Sequence, residues 1–120
     1  MTRAKTPLND KQIDLKNLDK QVSLWKSQGL SICFTNGCFD LLHLGHISYL
    51  DEAAKQADVL LVGVNSDRSV KALEKSPERP INDEVSRAKV VAALESVDGV
   101  VIFDEDTPKE LIKKLSPNVL

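Results

Sequence analysis

Long hydrophobic runs, surplus basic charge, cysteine and histidine are all scarce in this chain, and each scarcity removes a class of function. No apolar run approaches the roughly 20 residues needed to cross a bilayer, so no membrane role is expected. The stretch from Met1 to Asp10 lacks the apolar core of a signal peptide, which makes the cytoplasm the expected location. Sixteen basic residues against 18 acidic ones leave a formal net charge of −2. That balance offers no concentrated basic face for a nucleic-acid backbone. The two cysteines, Cys33 and Cys38, fall one in a strand pattern and one in a turn, and suggest neither a disulfide framework nor a four-ligand zinc site. They read as small, partly buried thiols. With only two histidines, a zinc site would want a third ligand, so no metal is expected on the protein. No Gly-Lys-Ser/Thr follows a glycine loop, and the three-glycine dinucleotide fingerprint is missing. Internal repeats and low-complexity segments are absent.

What is present is an ordinary globular composition, 42% hydrophobic and 28% charged over 120 residues, enough for one domain with a core. Met1 to Asp10 reads as a lead-in. Leu15, Leu18, Val22 and Trp25 recur at helical spacing, and Gly29 stands where a C-cap glycine would. Strand-like Ser31 to Thr35 follows, then a helix over His46 to Gln56 with Ile47, Leu50, Ala53 and Ala54 on one face. Val59 to Val64 is continuously apolar, as expected of a strand covered on both faces. Ser66 or Asp67 can cap a short helix through Leu73, and Glu74 to Asn82 reads as an irregular loop. A helix over Asp83 to Glu95, a strand over Val100 to Phe103, and a helix opened by Thr107 as N-cap with Pro108 behind it come next. Asn118-Val119-Leu120 looks like the start of another strand. This alternation predicts an α/β fold, a parallel sheet with helices on both faces. Ligands of such sheets bind beyond the carboxyl ends of the strands, where strand order reverses. The turns after Thr35, Val64 and Phe103 all lie on that edge.

One of those turns carries a chemistry. After the apolar Ile32-Cys33-Phe34, the chain runs Thr35-Asn36-Gly37-Cys38-Phe39-Asp40-Leu41-Leu42-His43-Leu44-Gly45-His46. Asn36-Gly37 supplies a sharp turn. His43 and His46 then place two imidazoles at a helix N-terminus, where backbone N–H groups and the helix dipole favour phosphate. Imidazoles there can donate to phosphoryl oxygens as charge builds up. A single histidine at a helix start is usually a cap or a surface residue; two around a glycine, directly after a strand, are much rarer. Gly45 leaves room for a phosphate to approach the backbone. Asp40, acidic in an anion site, is expected to cap loop amides, accept from a histidine or hold a substrate hydroxyl.

These residues resemble the cytidylyltransferase-like family of nucleotidyltransferases, whose hallmark is His-x-Gly-His after a Gly-x-Phe-Asp turn. Here those positions are His43-Leu44-Gly45-His46 and Gly37-Cys38-Phe39-Asp40. Within the family the likeness is to the branch that adenylylates heptose 1-phosphates. It rests on Phe34-Thr35-Asn36-Gly37, Val62-Gly63-Val64-Asn65-Ser66-Asp67, Arg79-Pro80-Ile81-Asn82, Arg87-Ala88, Ala92 to Asp98 and Phe103 to Pro108. The resemblance implies a Rossmann-like domain over 31–120, with residues 1–30 as an N-terminal extension and helix. It implies attack of a sugar 1-phosphate oxygen on the α-phosphate of ATP, with release of pyrophosphate and magnesium carried by the nucleotide.

By the same resemblance His43 and His46 are catalytic, and Thr35, Asn36, Gly37, Cys38, Phe39 and Gly45 surround the phosphates. Arg87 reaches them from a neighbouring helix; the plainer alternative is a surface ion pair with Asp83 or Glu84. Lys75 and Arg79 lie in a loop where relatives carry basic residues near the phosphates, the alternative being solvated charge. Asp40, Asn65 and Asp67 are expected on the substrate. Relatives often form homodimers, and fusion to or pairing with a sugar kinase belongs to the same expectation. The match departs in two places. The 73–79 loop looks one residue longer, with Ser76 in place of a glycine, and relatives continue past the position of Leu120 through a Lys-Gly-Gly-Asp segment, a strand and a nucleotide-binding Ser-Thr-Thr loop. The expectation is therefore a C-terminally truncated domain. The alternatives are a cytidylyltransferase for glycerol 3-phosphate or a similar small phosphate, and a nucleotide-binding module without turnover.

Overall fold

Alternate side chains of each strand serve opposite faces of one sheet, which is why the apolar residues sort into two cores. The computed structural model describes residues 6–74, 77–105 and 107–120. Among them the strands are β1 (Gln12–Ile13), β2 (Ile32–Gly37), β3 (Val59–Asn65) and β4 (Gly99–Phe103). The helices are α1 (Leu8–Lys11), α2 (Leu18–Ser27), α3 (Leu44–Ala54), α4 (Asp67–Glu74), α5 (Glu84–Ala92) and α6 (Lys109–Leu115), with a 3₁₀ turn, Leu15–Asn17, ahead of α2. All strand pairs are parallel, in the spatial order β1-β4-β3-β2.

Cys33, Leu60, Val62, Val64 and Val100 face a core closed by Leu50 of α3 and by Ala88, Val91 and Ala92 of α5. Ile32, Phe34, Val59, Leu61, Val101 and Phe103 face the other, closed by Leu18 and Val22 of α2 and Leu111 and Leu115 of α6. The continuous apolar run of β3 is buried at every position, as a central strand covered on both faces requires. Gly63, mid-strand, leaves room for aromatic rings: a Cβ there would stand 2.9 Å from Phe34 Cζ and 3.1 Å from Phe103 Cε1.

The winding fixes the place of the site. From β2 the chain moves through α3 to β3 and through α5 to β4, always in one direction. After α6 it returns to the outer side of β2, where Val119 bridges Cys33 and the Phe34 N–H donates to the Val119 carbonyl at 2.9 Å. Strand order therefore reverses at β2, and the crevice beyond its carboxyl end is the topological switch point.

Two expectations need correction here. Residues 8–28 are not merely a lead-in and a helix, because Gln12 and Ile13 pair with Val100 and Val101 as an edge strand and α2 closes one core. Thr107 does not cap α6; Pro108 holds the N-cap position, with no side-chain cap bond.

Candidate active site

The turn from β2 into α3 is built by side chains folding back on their own backbone. His43 is the N-cap of α3, and its Nδ1 accepts from the Gly45 N–H at 3.0 Å. His46, three residues on, returns the gesture: its Nδ1 accepts from the His43 N–H at 3.3 Å. Two imidazoles thus form a reciprocal capping box, a task usually given to a hydroxyl and a carboxylate. The rings lie 4.0 Å apart between centroids, tilted by 34°.

This cap sets which ring nitrogen accepts and which donates. A ring nitrogen that accepts a hydrogen bond carries no hydrogen, so in this arrangement each ring has Nε2 as its donor. Nε2 lies across the ring from Nδ1, so each Nε2–H is directed away from the amides that Nδ1 serves. Burial, and then the neighbouring His43, push the His46 pKa below its ordinary value, in the same sense as the cap. The result is a pair of N–H donors side by side at a helix N-terminus.

Glycine and phenylalanine make the pair fit. A Cβ on Gly45 would lie 2.8 Å from His43 Cε1, so Gly45 is required by the folded-back ring rather than by the approach of a phosphate alone. A Cβ on Gly37 would lie 2.9 Å from Phe39 Cε2. Phe39 itself takes a left-handed backbone (φ 51) and sinks its ring beneath His46, edge-on at 5.6 Å and 61°. Besides its backbone N–H, it therefore supplies a floor for the imidazole.

The remaining expected residues fall around this turn. Thr35 is buried at the end of β2, its Oγ1 2.8 Å from the hydroxyl of Tyr49 on α3; Asn36 beside it is exposed. Tyr49 was not anticipated, though its place one turn after His46 on the same helix was a usable signal. Of the roles expected for Asp40, the structure shows the capping of loop amides. Its carboxylate accepts from Arg79 Nη1 at 2.9 Å and from the Ile81 and Asn82 amides, each at 2.8 Å, and its side chain is 8% exposed. Burial alone would raise its pKa, but those amides and the Arg79 guanidinium outweigh burial and hold the carboxyl below its ordinary value. Arg79 is accordingly an ion-pair partner of Asp40 rather than a free cation.

Arg87 also departs from expectation, and from the surface ion pair with Asp83 or Glu84 too. Its guanidinium is buried and donates to carbonyls of Cys38, Asn65 and Asn82 and to the Asp67 carboxylate. Asp83 instead caps α5, accepting from the Ser86 N–H at 2.7 Å. Asp67 opens α4, with one carboxylate oxygen on Arg87 and its N–H on Glu84 Oε1. Asn65 is buried at the end of β3. Lys75 lies outside the described residues. Asn82, held on several sides, is a residue that sequence reasoning missed. No cluster of three or more His, Cys, Asp or Glu suited to a metal ion occurs among the described residues. No helix among them is long and apolar enough to cross a membrane.

The profile of the Cytidylyltransferase-like family matches residues 34–120. The chain belongs to that family. Among its relatives, "Bifunctional protein HldE" of Methylobacillus flagellatus is 54% identical over 111 residues, 92% of this chain. "Bifunctional protein HldE" of Magnetococcus marinus is 47% identical over all 120 residues. The chain spans only 22% and 24% of the lengths of these relatives. A solved structure titled the lipopolysaccharide core biosynthesis protein from Thermoplasma volcanium GSS1 superposes with a TM-score of 0.67 at 34% identity, covering 75% of this chain and 71% of that one.

Proposed function

We propose that this chain is the nucleotidyl-transfer part of an enzyme that moves the adenylyl group of ATP to a heptose 1-phosphate, yielding ADP-heptose and pyrophosphate. The observation that carries the reading is the reciprocal His43–His46 cap, which leaves two Nε2–H donors at a helix N-terminus at the switch point. Direct displacement at the α-phosphate asks for little covalent chemistry from a protein. It asks for in-line placement of the sugar-phosphate oxygen opposite the leaving pyrophosphate, and for donors aimed where charge accumulates. His43 and His46 serve as those donors, and backbone N–H groups of the 35–39 turn add to them. The imidazoles stabilise charge by donation through Nε2–H, and the nucleophile needs no base, because its phosphate oxygen is already ionised. Magnesium carried by the triphosphate as part of the substrate would supply neutralisation of its phosphate charge.

The heptose acceptor is supported by the branch likeness and by the lipopolysaccharide title of the structural neighbour. The word "bifunctional" in the relatives' name supports a second activity alongside this one, and a sugar kinase is the activity that would supply a sugar 1-phosphate. ATP as donor puts the reaction in the cytoplasm. The test is pyrophosphate release with ATP or CTP against heptose 1-phosphate and glycerol 3-phosphate, beside calorimetric titration with ATP. Turnover fastest with ATP and heptose 1-phosphate is expected. Faster turnover with CTP and glycerol 3-phosphate overturns the substrate assignment, and ATP binding without product at high protein concentration overturns catalysis by this chain.

A further inference from the structure

The loop at 79–82 is fastened to the motif turn by groups outside the histidine motif, and Asn82 is gripped from three sides. Its N–H donates to Asp40 Oδ1 at 2.8 Å and its Nδ2 to the Asp40 carbonyl at 2.8 Å, while its own carbonyl accepts from Arg87 Nε at 2.9 Å. Arg87 Nη1 continues to the carbonyls of Cys38 and Asn65, both at 2.7 Å, and Nη2 to Asp67 Oδ1 at 2.8 Å. The Arg87 side chain is 0% exposed. A buried guanidinium needs such partners, and its planar fork suits acceptors arriving from several directions.

We propose that Asp40 and Arg87 are positioning residues that form one strut through Asn82, holding the 38–40 turn and through it the ring of His46, and that Arg87 is not a phosphate ligand. This rests on the reading of His43 and His46 as phosphate donors. A trans peptide points its C=O and N–H in opposite directions. Drawing the Cys38 carbonyl onto Arg87 therefore turns the Phe39 N–H away from the guanidinium. Phe39 sits at φ 51, a backbone state that an L residue keeps only when its surroundings hold it there. Its ring packs edge-on beneath His46, so slack in the turn becomes slack in the imidazole. A phosphate reaching Arg87 would have to displace carbonyls of the very loops that frame the site.

The strut and a phosphate contact predict different behaviour for Arg87→Lys, Arg87→Met and Asp40→Asn. Lysine keeps the charge but has one nitrogen, which cannot span the carbonyls of Cys38, Asn65 and Asn82. Under the strut, Arg87→Lys falls as far as Arg87→Met, with kcat down on the order of 10–100-fold and the KM for ATP within about threefold of the parent. Asp40→Asn, which sets an amide donor against amide donors, falls similarly, and the double variant Asp40→Asn with Arg87→Lys is no slower than the slower single one. Without any substrate, hydrogen exchange at the Ile81 and Asn82 amides speeds up in each variant. A variant Arg87→Lys with parental kcat and a raised KM for ATP overturns the proposal in favour of phosphate contact. Fully multiplicative losses in the double variant, or unchanged exchange at Ile81 and Asn82, overturn it as well. Should the Arg87 variants unfold, Asp40→Asn decides alone through exchange and kcat. Should the parent show no adenylyl transfer, the exchange result still decides the strut, so the two readings fail separately.

Discussion

Adding one methyl group at Gly45 tests whether the folded-back His43 ring is what the reaction uses. In Gly45→Ala the new Cβ would lie 2.8 Å from His43 Cε1 and 3.0 Å from His43 Nδ1. The imidazole must swing out, and the 3.0 Å bond from the Gly45 N–H goes with it. Losing an N-cap bond costs about 1 kcal/mol. Alanine is favoured over glycine inside a helix by about the same amount, and Gly45 has no left-handed backbone for alanine to strain. These terms nearly cancel, so the melting temperature should move by no more than about 4 °C. The kinetic effect has no such compensation. Removing one preorganised donor from a developing oxyanion costs about 10²–10³ in kcat, or about 2.7–4 kcal/mol. The assay is pyrophosphate release at saturating ATP and heptose 1-phosphate, run beside thermal melts. An alanine variant that turns over within about threefold of the parent, with the same melting temperature, refutes the claim that the His43 ring must rest over Gly45.

The histidines themselves give the companion result: His43→Ala and His46→Ala should each lower kcat by about 10²–10³, and a His46→Ala protein as fast as its parent ends the mechanism. Acid should act through His46. The His46 pKa is lowered in the fold by burial and then by His43, so as pH falls below about 6.5 the unfolded chain takes up the proton first and stability declines. Activity should then fall as pH passes the lower folded value, with both quantities flat above about pH 6.5. Asp40 does not interfere: burial opposes its ionisation, but the Asn82 and Ile81 amides and Arg79 keep it a carboxylate, and its contribution is lost only as pH drops below the ordinary carboxylate range. Profiles of kcat/KM and urea melts at pH 5 and 7.5 check this; activity rising toward pH 5 contradicts the donor reading. Gly63→Ala should cost about 1–3 kcal/mol by overpacking against Phe34 and Phe103, lowering the melting temperature by about 4–12 °C at unchanged kcat; an unchanged melt would mean that the two rings move aside freely.

What the sequence made legible was the part of the fold encoded locally. The apolar run at Val59 to Val64 is a central strand because no polar side chain interrupts either face, and Ser66 caps α4 through its own hydroxyl, the Ser69 N–H donating to it at 3.2 Å. The paired histidines were legible for the same reason, since their bonds span two and three residues. What stayed hidden is encoded across distance. Gln12 and Ile13 have no strand-like alternation around them and become β1 only because β4 offers a free edge at Val100 and Val101. Thr107 had the chemistry of an N-cap, yet α6 begins at Lys109 with Pro108 in the cap position.

Arg87 marks where local reasoning stops. A charged side chain on a helix is ordinarily read as solvated or ligand-bound, because an uncompensated buried charge is prohibitive. Arg87 escapes that rule by collecting carbonyls of Cys38, Asn65 and Asn82, groups that come together only when the turn after β2, the end of β3 and the loop before α5 meet on one sheet edge. Every chain has such carbonyls everywhere, so no residue type announces them. The fold explains why they meet here. The same reversal of strand order that opens the crevice beyond β2 leaves backbone groups of neighbouring loops at that edge without strand partners. Satisfying those groups and aiming the histidines are then one task, performed by a residue whose charge is turned away from the ligand side and into the frame.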